Sequence, residues 1–426
     1  MAEPLVIEEP AAARPRPRPS LDAFLSLGFR PLYIAGSAWA VVAVAIWIFA
    51  PALIGAPLSG VAWHAHEMLW GFIATIAVAF LLTASANWTG INPLRGAGLG
   101  ATCLLWLVAR LGYLFGGTAG FWLAAACESA FFLVAALSLL RVMHKAHSRR
   151  NYGIPWLVLG LGAANLLYLQ AALRGDHAVL IQRFDLGLLC MAVIALLIAR
   201  RVIPFFAMRA VTGLKIPMLT RSGQVQVALG LAAIAAALAG LPHVAAPALA
   251  VAALIGLFQV WSWRPLAARA NPLLWILYLG YTALSLGLLA AGAYLGGLES
   301  GPLARPATYV HIVAMGGFSI LIIGMITRTA LGHLGKPLRV DRSMLWSYVL
   351  IIAAALLRLA ALWPTASGQG LLHAAAACWI AGLALYLWRF VPMLIRPRPD
   401  AAPQPQPQRG QVQAAVVRGP AQGPRP

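Results

Sequence analysis

The chain has 426 residues, of which 61% are hydrophobic and only 10% are charged, and its formal net charge is +20. A water-soluble protein of this length could not bury so much apolar surface, so the composition excludes a soluble fold. Apolar runs of about 20 residues recur along the chain, and each is long enough to cross a bilayer as a helix. Because the runs are continuous rather than alternating, they predict an all-α polytopic membrane protein and not a β-barrel.

The chain divides into a long apolar region and two polar tails. Residues 1–24 are rich in Pro, Arg and Ala and predict a disordered N-terminal tail. Residues 25–395 predict a membrane domain, and residues 396–426, rich in Pro, Gln, Arg and Ala, predict a disordered C-terminal tail. Twelve spans are predicted in the membrane domain, at approximately residues 31–52, 61–86, 97–115, 120–141, 154–173, 179–203, 224–241, 244–263, 272–293, 305–328, 344–363 and 370–392.

The distribution of positive charge predicts the orientation of these spans. If the N-terminus is cytoplasmic, the tails and the inner loops, with the span ends beside them, contain all but five of the 31 Lys and Arg residues. The exceptions are Arg110, Arg174, Arg183, Arg305 and Arg358. This bias predicts that both termini are cytoplasmic. The high net charge is therefore interpreted as a topology signal and not as a nucleic-acid-binding surface.

The second span begins with Trp63-His64-Ala65-His66-Glu67-Met68. Two imidazoles, a carboxylate and a thioether are ligand types that transition metals and haem iron use, so this stretch favours a metal site. The alternative is that interfacial Trp and His only mark where a helix meets the headgroups. His64 and His66 are about 200° apart around a helix. Either the first turn is irregular, or the two imidazoles serve separate sites from opposite faces.

Ionisable residues of seven spans fall at a similar depth under this orientation. All are expected in the outer half of the membrane, which predicts a shared site there. They are His64, His66, Glu67, Arg110, Glu128, Asp185, His311, Arg358 and His373.

Met68 follows His64 by four residues, and Met315 follows His311 by four. Either thioether could be a soft ligand for Cu(I), although ordinary core packing is the alternative for each.

The second, sixth and tenth spans resemble each other weakly. The sixth offers Asp185 at its outer end and Arg200-Arg201-Val202-Ile203-Pro204 at its inner end. His66-Glu67-Met68-Leu69-Trp70-Gly71 aligns with His311-Ile312-Val313-Ala314-Met315-Gly316. A spacing of four spans suggests three four-helix units, as in the haem-copper oxidase core, where a bis-His haem lies between helices 2 and 10. The chain lacks the His cluster that would hold the oxidase copper, so this analogy favours a haem site and argues against oxygen reduction.

Several longer motifs resemble those of the NnrS family. They are Phe29-Arg30-Pro31, Trp63-His64-Ala65-His66-Glu67-Met68, Leu82-Thr83-Ala84 with Asn87-Trp88-Thr89-Gly90, Arg201-Val202-Ile203-Pro204-Phe205-Phe206, and Thr327-Arg328 with Leu331-Gly332-His333-Leu334-Gly335-Lys336-Pro337-Leu338. The resemblance covers roughly residues 24–395. It implies a haem- and copper-containing bacterial membrane protein associated with nitric oxide, denitrification and resistance to nitrosative stress.

Depth and helix pairing, combined with this resemblance, predict a haem site. His66 and His311 are the predicted axial ligands of a haem b. Arg110 and Arg358 are predicted to pair with its propionates. Glu67 is predicted to orient a ligating imidazole by accepting a hydrogen bond from the ring nitrogen that does not bind the metal.

Copper, which the resemblance also implies, is assigned to His64, with Met68 or His333 as a further ligand. His333 lies at the inner end of the tenth span, about 33 Å from His311 along a continuous helix. These two residues therefore cannot bind the same ion.

Three functions remain open from the sequence. The first is a haem and copper protein that binds or disposes of nitric oxide. The second is a reductase fed by quinol or cytochrome, although the chain has no Cys-x-x-Cys-His motif and its electron donor is unknown. The third is a secondary transporter in which the His residues line a solute or proton site.

Overall fold

The computed structural model describes residues 17–55, 57–363 and 367–398. Most of the two predicted tails therefore lies outside the described residues. Residues 17–24 of the predicted N-terminal tail are described, and they include a short helix, Leu21–Phe24. The elements found over these ranges are all helical, with no β-strand among them, which confirms the predicted all-α class.

Twelve helices in the described ranges are long and apolar enough to cross a membrane, which confirms the predicted number of spans. They are α1 (Phe29–Phe49), α2 (Gly60–Thr89), α3 (Gly96–Phe115), α4 (Gly117–Lys145), α5 (Arg149–Arg174), α6 (His177–Ala210), α7 (Thr220–Leu238), α8 (Pro242–Ser262), α9 (Pro272–Leu295), α10 (Pro306–His333), α11 (Arg342–Ala360) and α12 (Gly368–Leu394).

Polar and glycine residues define several helix ends. The Asp341 carboxylate accepts a hydrogen bond from the backbone N–H of Met344 at 3.0 Å and caps α11. Asn271 caps α9 in the same way, directly before Pro272 in the first turn. Gly90 ends α2 in the left-handed conformation (φ 71°), which a residue without a Cβ adopts at little cost. The spans therefore end at local signals as well as at the limits of their apolar runs.

Three helices spaced four apart in the chain, α2, α6 and α10, form the centre of the bundle. Their most apolar segments are 83, 78 and 67% buried, respectively, and the three helices contact one another; α9 is also 67% buried and packs against α6 and α10. The other helices pack around them largely in chain order, and α12 returns to contact α1. Most side chains of α2, α6 and α10 are therefore in contact with other helices of the bundle.

Helices α2 and α10 share a local irregularity. Each contains an eight-residue π-helical segment, Glu67–Ala74 in α2 and Ile312–Ser319 in α10. Each segment starts directly after a histidine, and the two segments contact each other. At the end of each, a hydroxyl donates to the carbonyl five residues earlier: Thr75 to Trp70 at 3.0 Å, and Ser319 to Ala314 at 2.8 Å. Because π-helical turns are rare and frequently occur at functional sites, they draw attention to the region between α2 and α10.

Candidate functional site

A cavity of about 420 Å³ lies at one end of the bundle, where α2, α6 and α10 begin and where α1, α5 and α11 end. We call it the histidine cavity because His64 of α2 and His311 of α10 both line it. Most of its other lining residues are apolar, among them Ile48, Phe72 and Val310. Its volume is within the ~300–1,000 Å³ that is usual for ligand and cofactor sites.

His64 lies in a short α-helical segment, Gly60–His66, that precedes the π segment and carries the imidazole to this cavity. The imidazole stacks on the indole ring of Trp47, with ring centroids 5.1 Å apart and planes 13° apart. Its Nδ1 atom is buried and has no hydrogen-bond partner among the described residues. Buried polar atoms are nearly always satisfied, so this atom is a candidate for binding a group that completes the site.

His311 faces the same cavity with one ring nitrogen already engaged. Its Nδ1 lies 2.6 Å from the carbonyl oxygen of Ala307, four residues earlier in the same helix. With Nδ1–H as the donor, the other nitrogen, Nε2, keeps its lone pair. Metal-binding histidines are usually oriented in this way by a hydrogen bond from the opposite ring nitrogen.

Two thioethers accompany the two imidazoles. Met68 and Met315 both line the histidine cavity, each four residues after its histidine in sequence. The structure therefore brings His64, Met68, His311 and Met315 to one cavity. Imidazole and thioether groups are suitable ligands for copper or haem iron.

The charged groups that line this cavity are cationic. Arg358 of α11 and Arg305, just before α10, contribute to the lining. The Arg305 guanidinium also donates to the Leu362 carbonyl at 2.5 Å. His64, His311 and Arg358 are close enough to interact electrostatically. Since the described lining contains no Asp or Glu, the cavity is suited to a largely apolar ligand that carries anionic groups.

His66 does not line the histidine cavity. It is fully buried on another face of α2, with both ring nitrogens near polar partners. Nδ1 lies 2.8 Å from Glu67 Oε1, and Nε2 lies 2.9 Å from Asn165 Oδ1 and 3.1 Å from Glu128 Oε2. The structure therefore does not bring the predicted pair of haem ligands, His66 and His311, to one cavity.

Arg110 joins the two carboxylates that contact His66. Its guanidinium donates to Glu67 Oε2 at 2.7 Å and also to Glu128 Oε1. We call His66, Glu67, Arg110 and Glu128 the buried quartet, since each is at most 1% exposed. Its charges balance when His66 is protonated, and such pairing is what makes buried ionic groups tolerable in a membrane protein.

Neighbouring polar side chains complete the hydrogen bonding of the quartet. The Trp39 indole N–H donates to Glu67 at 2.5 Å, the Tyr113 hydroxyl donates to Glu128 at 3.0 Å, and the Asn165 amide donates to Glu128 at 2.7 Å. Tyr168 lies between the two sites, because it lines the histidine cavity while its ring stacks on His66 at 6.0 Å. The quartet thus supports the helix that carries His64 without contributing to the cavity surface.

His333 lies at the opposite end of α10 from His311. Its ring packs against Phe29 with centroids 5.3 Å apart, and its Nε2 is 3.5 Å from the side-chain nitrogen of Asn87. It could serve only a site separate from the histidine cavity. Throughout the described part of the chain, no group of three or more His, Cys, Asp or Glu side chains could hold a metal ion.

A sequence model of the family described as NnrS protein matches residues 23–398, which is nearly the whole chain. The chain belongs to the NnrS family. A search of curated proteins finds no match. Family membership and the twelve apolar helices together establish a multi-pass membrane protein of the NnrS family.

In this NnrS protein the predicted site residues thus fall into two groups. His64, Met68, His311 and Arg358 line the histidine cavity, whereas His66, Glu67 and Arg110 belong to the buried quartet.

Sequence reasoning missed the roles of Trp47 and Asn165 in this NnrS protein. Asn165 had a visible signal, as an isolated amide in an apolar span. Trp47 had none, because an aromatic residue near a span end is ordinary.

Proposed function

We propose that this NnrS protein is a haem- and copper-dependent membrane protein that binds nitric oxide and acts in nitric oxide metabolism or in resistance to nitrosative stress. The observation that carries the proposal is that His64 and His311 line the same apolar cavity. They belong to α2 and α10, each of which contains a π segment. Membership of the NnrS family supports the link to nitric oxide.

In this proposal His64 and His311 would hold the iron of a b-type haem. The position of both imidazoles on one cavity and the oriented ring of His311 support this pairing. It replaces the pairing of His66 with His311, because both ring nitrogens of His66 are engaged by polar side chains. When bound, the haem would supply a one-electron redox centre.

The other lining residues have separate roles in this proposal. Arg358 would pair with a haem propionate, since guanidinium groups bind carboxylates strongly where water is scarce. Arg110 is less suited to this role because it already binds Glu67 and Glu128. Met68 and Met315 would be soft ligands for copper, and His333 would serve only a separate copper site.

The proposal also places the protein in a bacterial inner membrane with both termini cytoplasmic. The excess of Lys and Arg in alternate loops supports this orientation. The histidine cavity, at the end of the bundle opposite to the start of α1 and the end of α12, would then lie in the periplasmic half.

Absorption spectroscopy and metal analysis of the purified protein test the assignment. The His64→Ala and His311→Ala proteins should each lose the bis-histidine spectrum of the wild type, and added imidazole should restore part of it. His243→Ala, at an exposed position at the start of α8, is the control and should retain the wild-type spectrum. Full haem content with an unchanged axial signature in both cavity variants would overturn the pairing.

Nitric oxide consumption by the reduced protein tests the function. Consumption that requires a continuous electron donor would identify a reductase, whereas stoichiometric uptake without a donor would identify a binding protein. A wild-type protein with neither a Soret band nor nitric oxide uptake would refute the proposal and favour a transporter.

A further inference from the structure

A second cavity, of about 80 Å³, lies between the three central helices. Its lining includes Ile76 of α2, Ile194 and Ile198 of α6, and Leu321 and Ile322 of α10. No charged residue lines it, and the Tyr33 side chain carries the one hydroxyl among its described lining residues. We call it the apolar cavity.

The physical character of this lining disfavours water and ions. A buried water normally needs two to four polar partners, and one hydroxyl does not provide them. An ion would lose its hydration with nothing to replace it. Apolar cavities of roughly 150 Å³ in other proteins remain dry and bind benzene or xenon. A cavity of 80 Å³ is too small for haem but suits an uncharged molecule of a few atoms.

The apolar cavity adjoins the histidine cavity. Ile73, in the π segment of α2, lines both. On α10, Ser319 lines the histidine cavity while its neighbour Phe318 lines the apolar one. The boundary between the two cavities therefore consists of side chains from the second halves of the two π segments, which are themselves in contact.

We propose that the apolar cavity is a binding site for a small uncharged gas molecule, held next to the histidine cavity between α2, α6 and α10. The identity of the gas as nitric oxide rests on the proposed function, whereas the existence of the site does not. A gas molecule in this position would be separated from the histidine cavity by side chains of the two π segments, among them Ile73 and Phe318. The central helices would thereby concentrate a sparingly soluble ligand beside the groups that use it.

Xenon is a suitable probe, because it is uncharged, small and visible by anomalous scattering. Crystals of the full-length protein under xenon pressure should show xenon between Ile76, Ile194 and Leu321. Ala195→Leu and Ala77→Leu each add three carbons at a lining position on a different helix. Either change should lower xenon occupancy by at least about tenfold, since a filled cavity of this size cannot also hold the gas without overpacking.

Ala232→Leu is the matched control, because Ala232 lies on the exposed face of α7 and outside the lining of both cavities. It should bind xenon like the wild type. The use of two cavity variants keeps the test valid if one of them fails to fold. No xenon in the wild-type cavity, or unchanged xenon in a folded cavity variant, would overturn the gas site.

The failure of this proposal differs from the failure of the proposed function. Xenon in the apolar cavity of a protein that neither binds nor consumes nitric oxide would support the gas site and refute the function. Nitric oxide uptake by a protein whose apolar cavity excludes xenon would support the function and refute the gas site.

Discussion

Two histidines separated by one residue have different environments. His64 faces the histidine cavity with a buried ring nitrogen that lacks a partner, whereas His66 is enclosed by two carboxylates and an amide. The regular turn Gly60–His66 produces this difference, because a two-residue step rotates a helical side chain by about 200°. From the sequence, either the first turn was irregular or the two imidazoles lay on opposite faces of the helix, and the structure shows the second arrangement.

Which of these two histidines shares a cavity with His311, however, could not be predicted from the sequence. Which of the two faces of α2 meets α10 depends on how α2 packs against α3, α4 and α5. The decisive contacts are those of Glu128 and Asn165, which lie far from His66 in the chain. A single sequence contains no signal for such a pairing, and the prediction from sequence paired His66, not His64, with His311.

The buried quartet predicts a strong coupling between Arg110 and Glu128. Arg110→Gln should lower the free energy of unfolding by ~3–5 kcal/mol, because it leaves two buried carboxylates facing one imidazole. Glu128→Gln should have a similar effect by leaving Arg110 with one partner. The double variant regains charge balance, so its loss should be smaller than the sum of the two single losses. Unfolding in detergent, followed for all four proteins, measures this difference.

Arg389→Gln provides the control for the quartet. Arg389 pairs with Asp341 at 2.6 Å, but both side chains are 40% exposed. Exposed pairs contribute at most ~1 kcal/mol, so this variant should unfold much like the wild type. Additive losses for Arg110→Gln and Glu128→Gln would show that the quartet does not act as a unit.

Among the helices, the number of membrane spans could be predicted from the sequence, whereas the π segments could not. Span number followed from apolar length and from the charge of alternate loops, because both are set by the bilayer. The π segments of α2 and α10 have no such signature in composition or periodicity. The weak sequence match between the second and tenth spans covers the same region, because the aligned stretches overlap the two π segments.

The π segment of α2 depends on a glycine at position 71. A Cβ built there would lie 2.7 Å from both Arg110 Nη1 and Glu67 Oε2. Gly71→Ala should therefore destabilise the protein by ~1–3 kcal/mol through overpacking against the quartet. The thermal unfolding midpoint of the purified protein measures the effect.

Gly370→Ala is the matched control for Gly71→Ala, because a Cβ at this position in α12 would have no other atom within 4 Å. It should be neutral or slightly stabilising, as Ala favours a helix over Gly by about 1 kcal/mol. Equal midpoints for the two variants would mean that α2 can relax around the added methyl group.

At the scale of the whole molecule, charge predicts the orientation of the bundle. Thr212, between α6 and α7, and Ser300, between α9 and α10, are both exposed and lie in loops predicted to be on opposite sides. A membrane-impermeant maleimide should label Ser300→Cys in spheroplasts but Thr212→Cys only after permeabilisation. The wild type, whose four cysteines all lie within membrane helices, should remain unlabelled. Labelling with the opposite pattern would invert the predicted topology.

The buried quartet also bears on how the protein is made. Glu67, Arg110 and Glu128 belong to three successive helices, so the ribosome delivers a lone anion, then a cation, then a second anion to the insertion machinery. Each of these charges would disfavour release of its own helix into lipid, at a cost that reaches ~2.5–3.5 kcal/mol for a charge at the centre of a membrane helix. Once neutralised against one another and against a protonated His66, they no longer oppose that transfer. Helices α2, α3 and α4 should therefore wait at the translocon and enter the bilayer together.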